Sequence, residues 1–575
     1  MTQTNSQKPD ILAPAGNRAG FFAAIAAGAD AVYCGLKQFS ARMAAENFTI
    51  EELAALTRMA HARKTKVYVT LNSLVKPDEL DTAGKLVDQL NRYVRPDGLI
   101  VQDLALLSLA AQSGFAGEIH LSTLANVSFA SAMKLVGFFP HVSRVVLPRE
   151  LTVDEMRAMG QACPKGVSLE VFVHGALCYG VSGRCYWSSY LGGKSGLRGR
   201  CVQPCRRIYT QQSQRARFFS CQDLWVDVLT KVLLSVPKVA AMKIEGRKKG
   251  PHYVFYTTRA YKMLRDHPGD GSVKKEALAC LDYALGRKGT HYNLLSQRPW
   301  NPIDVETHTG SGQLVGKVGG PQSKPYMEPR EALFANDLLR IGYEDEAWHR
   351  TYRVTRSVPK KGRLYLNLSE KERPANATSI FLIDRREPEL AEQMAEIEKA
   401  FENTEVKSVQ PSKFKVNLPA KALARFWPFE MQVRRHPVKS KTSAEYNGAW
   451  VSKETDPASV PVTDHLWWWL PPVLWPENEE EIKAVVDKAL KKGFRHFVIN
   501  EIMYVGHFGR LNYLLLIHVL GIHTESNIIR HCSVLEVDFL GNVAQVCLPA
   551  VEVPVCYFCA IYDHLPFVGA KQSKN

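Results

Sequence analysis

A chain of 575 residues with 46% hydrophobic and 23% charged side chains has ordinary globular composition, which excludes a chain disordered throughout or a fibre and leaves room for several domains. Lys and Arg exceed Asp and Glu by 73 to 57, so the formal net charge is +16, a balance that suits a polyanionic partner better than an acidic one. The polar start "MTQTNSQKPD" lacks an apolar core of a signal peptide, and the apolar run "YLLLIHVLGI" (513–522) falls well short of the roughly 18 residues of a membrane span, so the reading is a cytoplasmic protein with no membrane partner.

Taken in chain order, β-branched runs alternate with Ala- and Leu-rich amphipathic stretches over the first 265 residues, the pattern of repeated βα units. The expected strands are 11–15 (ILAPA), 31–35 (AVYCG), 66–72 (KVYVTLN), 98–103 (GLIVQD), 118–122 (EIHLS), 144–150 (RVVLPRE), 168–175 (SLEVFVHG) and 241–246 (AMKIEG). Eight such units in about 250 residues predict a TIM (β/α)8 barrel of the α/β class, with function on loops at the C-terminal strand ends. A doubly wound sheet is the rival, but "APAGNRAG" after the first strand is not the G-x-G-x-x-G that its nucleotide site needs. The barrel domain is placed at 11–300.

Strand starts are 20 to 35 residues apart until the seventh and eighth, where the gap is 73. Within it, the Cys-rich insertion 175–221 carries Cys178, Cys185, Cys201 and Cys205, spaced C-x6-C-x15-C-x3-C. In a reducing compartment such clustering points to metal or redox chemistry rather than disulfides. Zinc knuckles favour C-x2-C pairs, which are missing here, whereas looser spacing suits an iron–sulfur cube whose irons need ligands from separate directions. A four-cysteine zinc site on an RNA-binding scaffold stays open as an alternative. From Tyr186 to Arg217 there are seven Lys or Arg and no acidic residue; Lys194, Arg198, Arg200, Arg206 and Arg207 are candidate phosphate contacts.

Glu170 and His174 are four apart on the seventh strand, and alternation puts them on one side as candidate base and proton carrier, unless Glu170 is a buried group satisfied by an Arg. Lys243, Glu245 and Arg247 end the eighth strand on one side and face the barrel mouth, where the cations either suit a carboxylate ligand or form a purely structural ion pair. His120, Ser122, Thr123 and Asn72 share that edge placement. No H-E-x-x-H and no G-x-S-x-G is present, so peptidase chemistry lacks its usual parts.

Beyond the barrel, short strands with polar turns predict a small β-barrel followed by a helix at 301–403, then a basic, Pro-bearing linker at 404–445 with little expected order. The segment 446–575 reads as an α/β region, with Trp467, Trp468 and Trp469 as packing residues and no periodicity after Ile502. Its "CYFC" at Cys556–Cys559 has no second cysteine pair to complete a zinc ribbon.

The stretch "EVFVHGALCYGVSGRC", with "GRCVQPCRR", "KIEGRKKGPHYV", "LAPAGN" and "GADAVYCGL", resembles the peptidase U32 family of collagenase-like peptidases. Glu170, Phe172, Gly175, Ala176, Leu177, Cys178, Gly183, Cys185 and Ser188 fit its signature; Trp187 stands where the family prefers an aliphatic residue. The resemblance implies a [4Fe-4S] cluster held by Cys178, Cys185, Cys201 and Cys205, with Cys221 as substitute for Cys205, and dependence on iron–sulfur assembly proteins. It further implies oxygen-independent hydroxylation of a tRNA or rRNA pyrimidine with prephenate as oxygen donor, with peptidase action or hydroxylation of a ubiquinone-precursor ring as alternatives.

Overall fold

The computed structural model describes residues 8–499 apart from 140, 297–300, 306–311, 322, 344–347, 370–372, 386, 407, 419–428, 435–445 and 464, together with the backbone of Leu514–Leu516 and Phe558–Ala560. Cys556 and most of 513–522 lie outside the described residues.

Eight parallel strands close on themselves: β1 (Asp10–Pro14), β2 (Ala31–Gly35), β3 (Lys66–Leu71), β4 (Gly98–Val101), β5 (Glu118–Leu121), β6 (Val142–Val146), β7 (Ser168–Ala176) and β8 (Val239–Ile244). β8 pairs with both β7 and β1, which completes the expected (β/α)8 barrel. Every residue of β2 and of β4 is buried, as parallel strands covered by helices outside and side chains inside must be. The helices between them start where their sequences provide caps. Asn17 accepts from Gly20 N ahead of Arg18–Ala26, Thr49 accepts from Glu52 N ahead of Ile50–Ala62, and Thr152 with Glu155 forms a reciprocal box ahead of Val153–Gln161.

The chain separates into two compact units, one of residues 1–127 and 139–417, the other of 128–138 with 418–575. Within the first, six antiparallel strands follow the barrel in the spatial order Arg350–Arg353, Leu338–Ile341, Ser379–Asp384, Gln313–Gly319, Tyr326–Met327 and Leu364–Tyr365. The sheet curls around Val315, Val318, Met327, Leu339, Ile341, Ile380 and Leu382. Its two edges meet where Tyr352 Oη donates to Tyr365 O at 3.2 Å.

The start of the basic linker is held by specific bonds, against the low expectation of order. Val416 N donates to Asp81 Oδ1 (2.9 Å), Asn417 N donates to Gln112 Oε1 (2.9 Å), and the Phe414 ring fills the space over Gly84, where any Cβ would meet it at 2.1 Å. In the second unit, Tyr446–Trp450, Leu466–Trp469 and Phe497–Ile499 form a parallel sheet with Phe429–Arg434, Leu514–Leu516 and Phe558–Ala560. Buried Glu479, on the helix Pro476–Lys492, accepts from Ala130 N and Ser131 N (2.9 and 2.8 Å), which ties the 128–138 segment into this unit. Trp468 is fully buried and Trp467 stacks on His496 with centroids 4.8 Å apart, as packing residues do.

Candidate functional site

The barrel interior is polar along one side. Lys243 Nζ on β8 donates to Glu170 Oε1 on β7 at 2.7 Å, and Arg144 on β6 approaches Glu170 Oε2 at 3.5 Å. His120 Nε2 on β5 lies 2.7 Å from Glu118 Oε2, and the His120 ring packs on Tyr68 with centroids 4.6 Å apart. Burial alone would raise the Glu170 carboxyl, but Lys243 and Arg144 outweigh it and hold Glu170 ionised below the ordinary range. Burial lowers His120 and leaves it neutral near pH 7. Glu170 is thus the buried, cation-satisfied glutamate of the alternative reading.

Above this floor lies a second charged group. Glu245, just past β8, pairs with Arg42 from the loop after β2 (3.0 Å) and Arg149 from the loop after β6 (3.6 Å), and accepts from Tyr33 Oη (3.3 Å). Arg247 is buried and donates to Ser40 Oγ and Thr70 Oγ1 (2.9 and 3.1 Å). Lys243 Nζ also sits 4.4 Å from the Tyr33 ring centroid, so it lies between the Glu170 floor and the Glu245 group above it. The mouth and floor carry Arg42, Arg144, Arg149, Lys243 and Arg247 around Glu118, Glu170 and Glu245, with Asp103 and Glu150 on neighbouring loops at the same strand ends. Asn72 accepts from Ala41 N (2.9 Å) and Ser122 caps Leu124 N, so these two shape the loops; Thr123 opens the short turn after β5.

Burial would raise Glu245, but Arg42 and Arg149 dominate and bring it down to about 2. A carboxyl depressed on folding stabilises the native state above its ordinary value near 4.3, and that stability is lost as pH falls toward about 2. Acid unfolding followed by circular dichroism is therefore expected to steepen between about pH 4.5 and 2, and Glu245→Gln to flatten it; an unchanged acid limb in the variant would refute the assignment.

His174 corrects a sequence expectation. The β7–β8 register slips between Phe172 and His174, so one extra residue on β7 reverses the alternation. Gly175 follows with φ +108°, where a Cβ would sit 2.4 Å from Glu245 O. His174 consequently leaves Glu170 and packs among Trp225, Tyr253 and Tyr261, with Nδ1 3.2 Å from Tyr261 Oη. Burial brings it down to about 4, so it is neutral at physiological pH.

The Cys-rich insertion begins at the C-terminal end of β7 and is pinned to loops that follow four other strands. Leu74 N donates to Leu197 O (3.3 Å), Arg198 pairs with Glu79, and Ser182 N donates to Glu150 Oε1 (2.9 Å). Gly183 and Gly199, both at positive φ, lie so near Leu124 O and Ser40 O that a Cβ would sit 2.4 and 2.0 Å away. The insertion thereby lies over the barrel mouth.

Cys178 and Cys201 are exposed, Cys185 and Cys205 half-buried, and Cys221 buried. The thiols lie within electrostatic reach of one another: Cys178 and Cys201 both act on Cys185 and on Cys205, and Cys178 acts on Cys221. Trp187 N donates to the Cys185 sulfur, and Ser188 Oγ and Gln203 N approach Cys201 Sγ at 3.5 and 3.4 Å, hydrogen bonds of the kind that would tune these sulfurs if they held a metal. Gly180 admits the Cys185 side chain, which a Cβ there would meet at 2.8 Å. Among the described residues no three His, Cys, Asp or Glu side chains stand close enough to hold a single metal ion. A cube of iron and sulfide makes a different demand, with thiolates at separate corners, and the all-sulfur donor set suits it. Burial pushes Cys205 up to about 12 and Cys221 up to about 11, so both are protonated thiols until a cation displaces the proton.

The expected phosphate contacts divide. Lys194, Arg200 and Arg207 are exposed on the insertion. Arg206 is not: it is 8% exposed and donates to Leu177 O (2.8 Å), Ser220 Oγ (3.1 Å) and Cys221 O, a structural cation that ties the cysteine segments together. Arg198 is half-buried against Glu79. Arg42 and Arg149 escaped the sequence reading, although Arg42 follows the second predicted strand and Arg149 stands at the C-terminal end of the sixth, where barrel function gathers.

Fold and site define a (β/α)8-barrel protein with a thiol-rich loop across a charged mouth. The family model "Peptidase family U32" matches residues 16–299. The chain is 36% identical over 277 residues to an uncharacterized protease of Methanocaldococcus jannaschii, covering 46% of this chain and 66% of that one. It is 31% identical over 332 residues to the tRNA hydroxylation protein P of Helicobacter pylori, covering 54% and 78% respectively. To the 23S rRNA 5-hydroxycytidine synthase of Escherichia coli it is 36% identical over 279 residues, covering 46% of this chain and 40% of the synthase. The chain belongs to peptidase family U32. Among the described residues, no helix is long and apolar enough to cross a membrane.

Proposed function

We propose that this chain is an iron–sulfur enzyme that hydroxylates a pyrimidine base of tRNA or rRNA without molecular oxygen. The observation that carries the reading is the placement of the cysteine insertion over a barrel mouth where Arg42, Arg149 and Arg247 gather around Glu245. Relatives named for tRNA hydroxylation and for rRNA 5-hydroxycytidine synthesis support it.

In this reading Cys178, Cys185, Cys201 and Cys205 hold a [4Fe-4S] cluster, with Cys221 as the substitute fourth ligand, and assembly proteins deliver it. With four thiolate ligands such a cluster would supply one-electron transfer when bound. Arg42, Arg149 and Arg247 orient a small carboxylated oxygen donor such as prephenate, because a guanidinium fork matches a carboxylate. Glu245 keeps those forks aligned in the absence of the donor, and Lys243 with Glu170 keeps the floor below them polar and rigid. Lys194, Arg200 and Arg207 take backbone phosphates.

Mass spectrometry of nucleosides from tRNA and rRNA of a strain lacking the gene tests this. A pyrimidine nucleoside one oxygen heavier than its parent is expected to disappear, and to return with the intact gene. An unchanged nucleoside profile refutes the proposal. The protease name of one relative keeps a second reading in view; cleavage of gelatin by iron-free protein would favour it.

A further inference from the structure

The curled six-stranded sheet carries a surface that the barrel site does not use. Where its two edges meet, Tyr352 Oη bonds Tyr365 O (3.2 Å), and the Tyr326 and Tyr365 rings stand edge to face with centroids 5.9 Å apart. Arg363 lies 4.5 Å from the Tyr326 centroid and Lys324 lies 4.8 Å from the Tyr365 centroid. The Arg363 side chain is 53% exposed and Tyr365 is 36% exposed. From Trp348 to Ser369 the chain has six Lys or Arg and no Asp or Glu, and Arg353, Arg356, Lys360 and Lys361 are all exposed. Arg363 also pairs with Glu328 at 3.3 Å, a surface ion pair that a polyanion can displace at small cost.

We infer that this seam is a second RNA-contact surface, in which Lys324 and Arg363 take phosphates and Tyr365 stacks an unpaired base. Cations set beside a partly exposed tyrosine ring at one sheet edge are what a nucleic-acid backbone with splayed bases requires. Tyr365 is the large exposed hydrophobic residue described between 313 and 385, and no aliphatic anchor of the kind a lipid surface needs accompanies it among the described residues. The inference rests on the reading that RNA is the substrate, and it adds a binding surface that works independently of the cysteines.

Fluorescence anisotropy of a labelled, unmodified tRNA transcript with the full chain tests it across a salt series. Lys324→Glu with Arg363→Glu should weaken binding about 10-fold or more and lower the slope of log affinity against log salt by about 2. Tyr365→Ala should weaken it about 5-fold while Tyr365→Phe retains affinity. Melting curves equal to wild type show that the variants are folded, and Arg363→Lys, which keeps the charge, should bind nearly as wild type. Wild-type affinity in all variants overturns the seam and leaves the proposed function standing. Absence of RNA binding by the unsubstituted chain overturns both. Loss of binding to phosphatidylserine vesicles with RNA affinity intact assigns the surface to a membrane and overturns the inference.

Discussion

Replacing Glu170 by alanine is expected to destabilise the barrel by about 3–5 kcal/mol, because it leaves buried Lys243 without its carboxylate partner and Arg144 with only Glu118, 3.6 Å away. Glu170 is fully buried, with Lys243 at 2.7 Å and Arg144 at 3.5 Å. Neither cation can turn to solvent, since their side chains are each only 6% exposed. The loss is largely the penalty of unpaired charge rather than the worth of the ion pair, and this distinction is testable. Glu170→Leu with Lys243→Met removes both partners and is expected to recover a good part of the loss. Because the barrel shares its chain with other folded parts, the melting transition should be followed by a probe within the barrel. A shift of roughly 2–4 °C per kcal/mol puts Glu170→Ala some 6–20 °C below wild type. A transition within a degree or two of wild type would refute the buried network. The sign with pH follows from the depressed carboxyl: the stabilisation is present above its ordinary value near 4.3 and fades as pH falls through the lower folded value.

On the proposed function, Cys178→Ser is expected to lose the iron and the thiolate-to-iron visible absorbance of protein purified without oxygen, and to lower RNA hydroxylation at least about 100-fold. Cys178 is the thiol to test because it is exposed and acts electrostatically on Cys185, Cys205 and Cys221. A serine hydroxyl is a poor iron ligand and adds no bulk, so the fold should survive, with an unchanged melting curve as the check. Cys205→Ser and Cys221→Ser compared side by side identify the fourth ligand: the true ligand loses iron and the other does not. Full iron content and colour in Cys178→Ser would end the cluster assignment, and zinc in place of iron would return the site to a structural role.

Much of the barrel was legible in the sequence because its signal is local and repeated. All eight expected strands are present, and each boundary moved by no more than a few residues. The cysteine insertion was equally visible, as a gap in a regular spacing. His174 was misplaced because the alternation rule assumes an unbroken strand; the bulge at Phe172–His174 is set by pairing with β8, a strand far along the chain. Arg206 looked like a free cation because its partners, the carbonyls of Leu177 and Cys221, become neighbours only when the insertion folds back on itself.

By itself, then, the sequence determined the strand count, the α/β class and the supply of thiols and cations, all of which depend on residue type and short-range period. Only the tertiary structure decided which charges are buried together. Arg42 and Arg149 lie 107 residues apart and meet at Glu245 because barrel closure brings the ends of β2, β6 and β8 to one mouth. Likewise the segment 128–138, which the strand pattern assigns to the barrel, joins the second unit through Glu479. Convergence of this kind is a property of chain closure, and no local window of residues contains it.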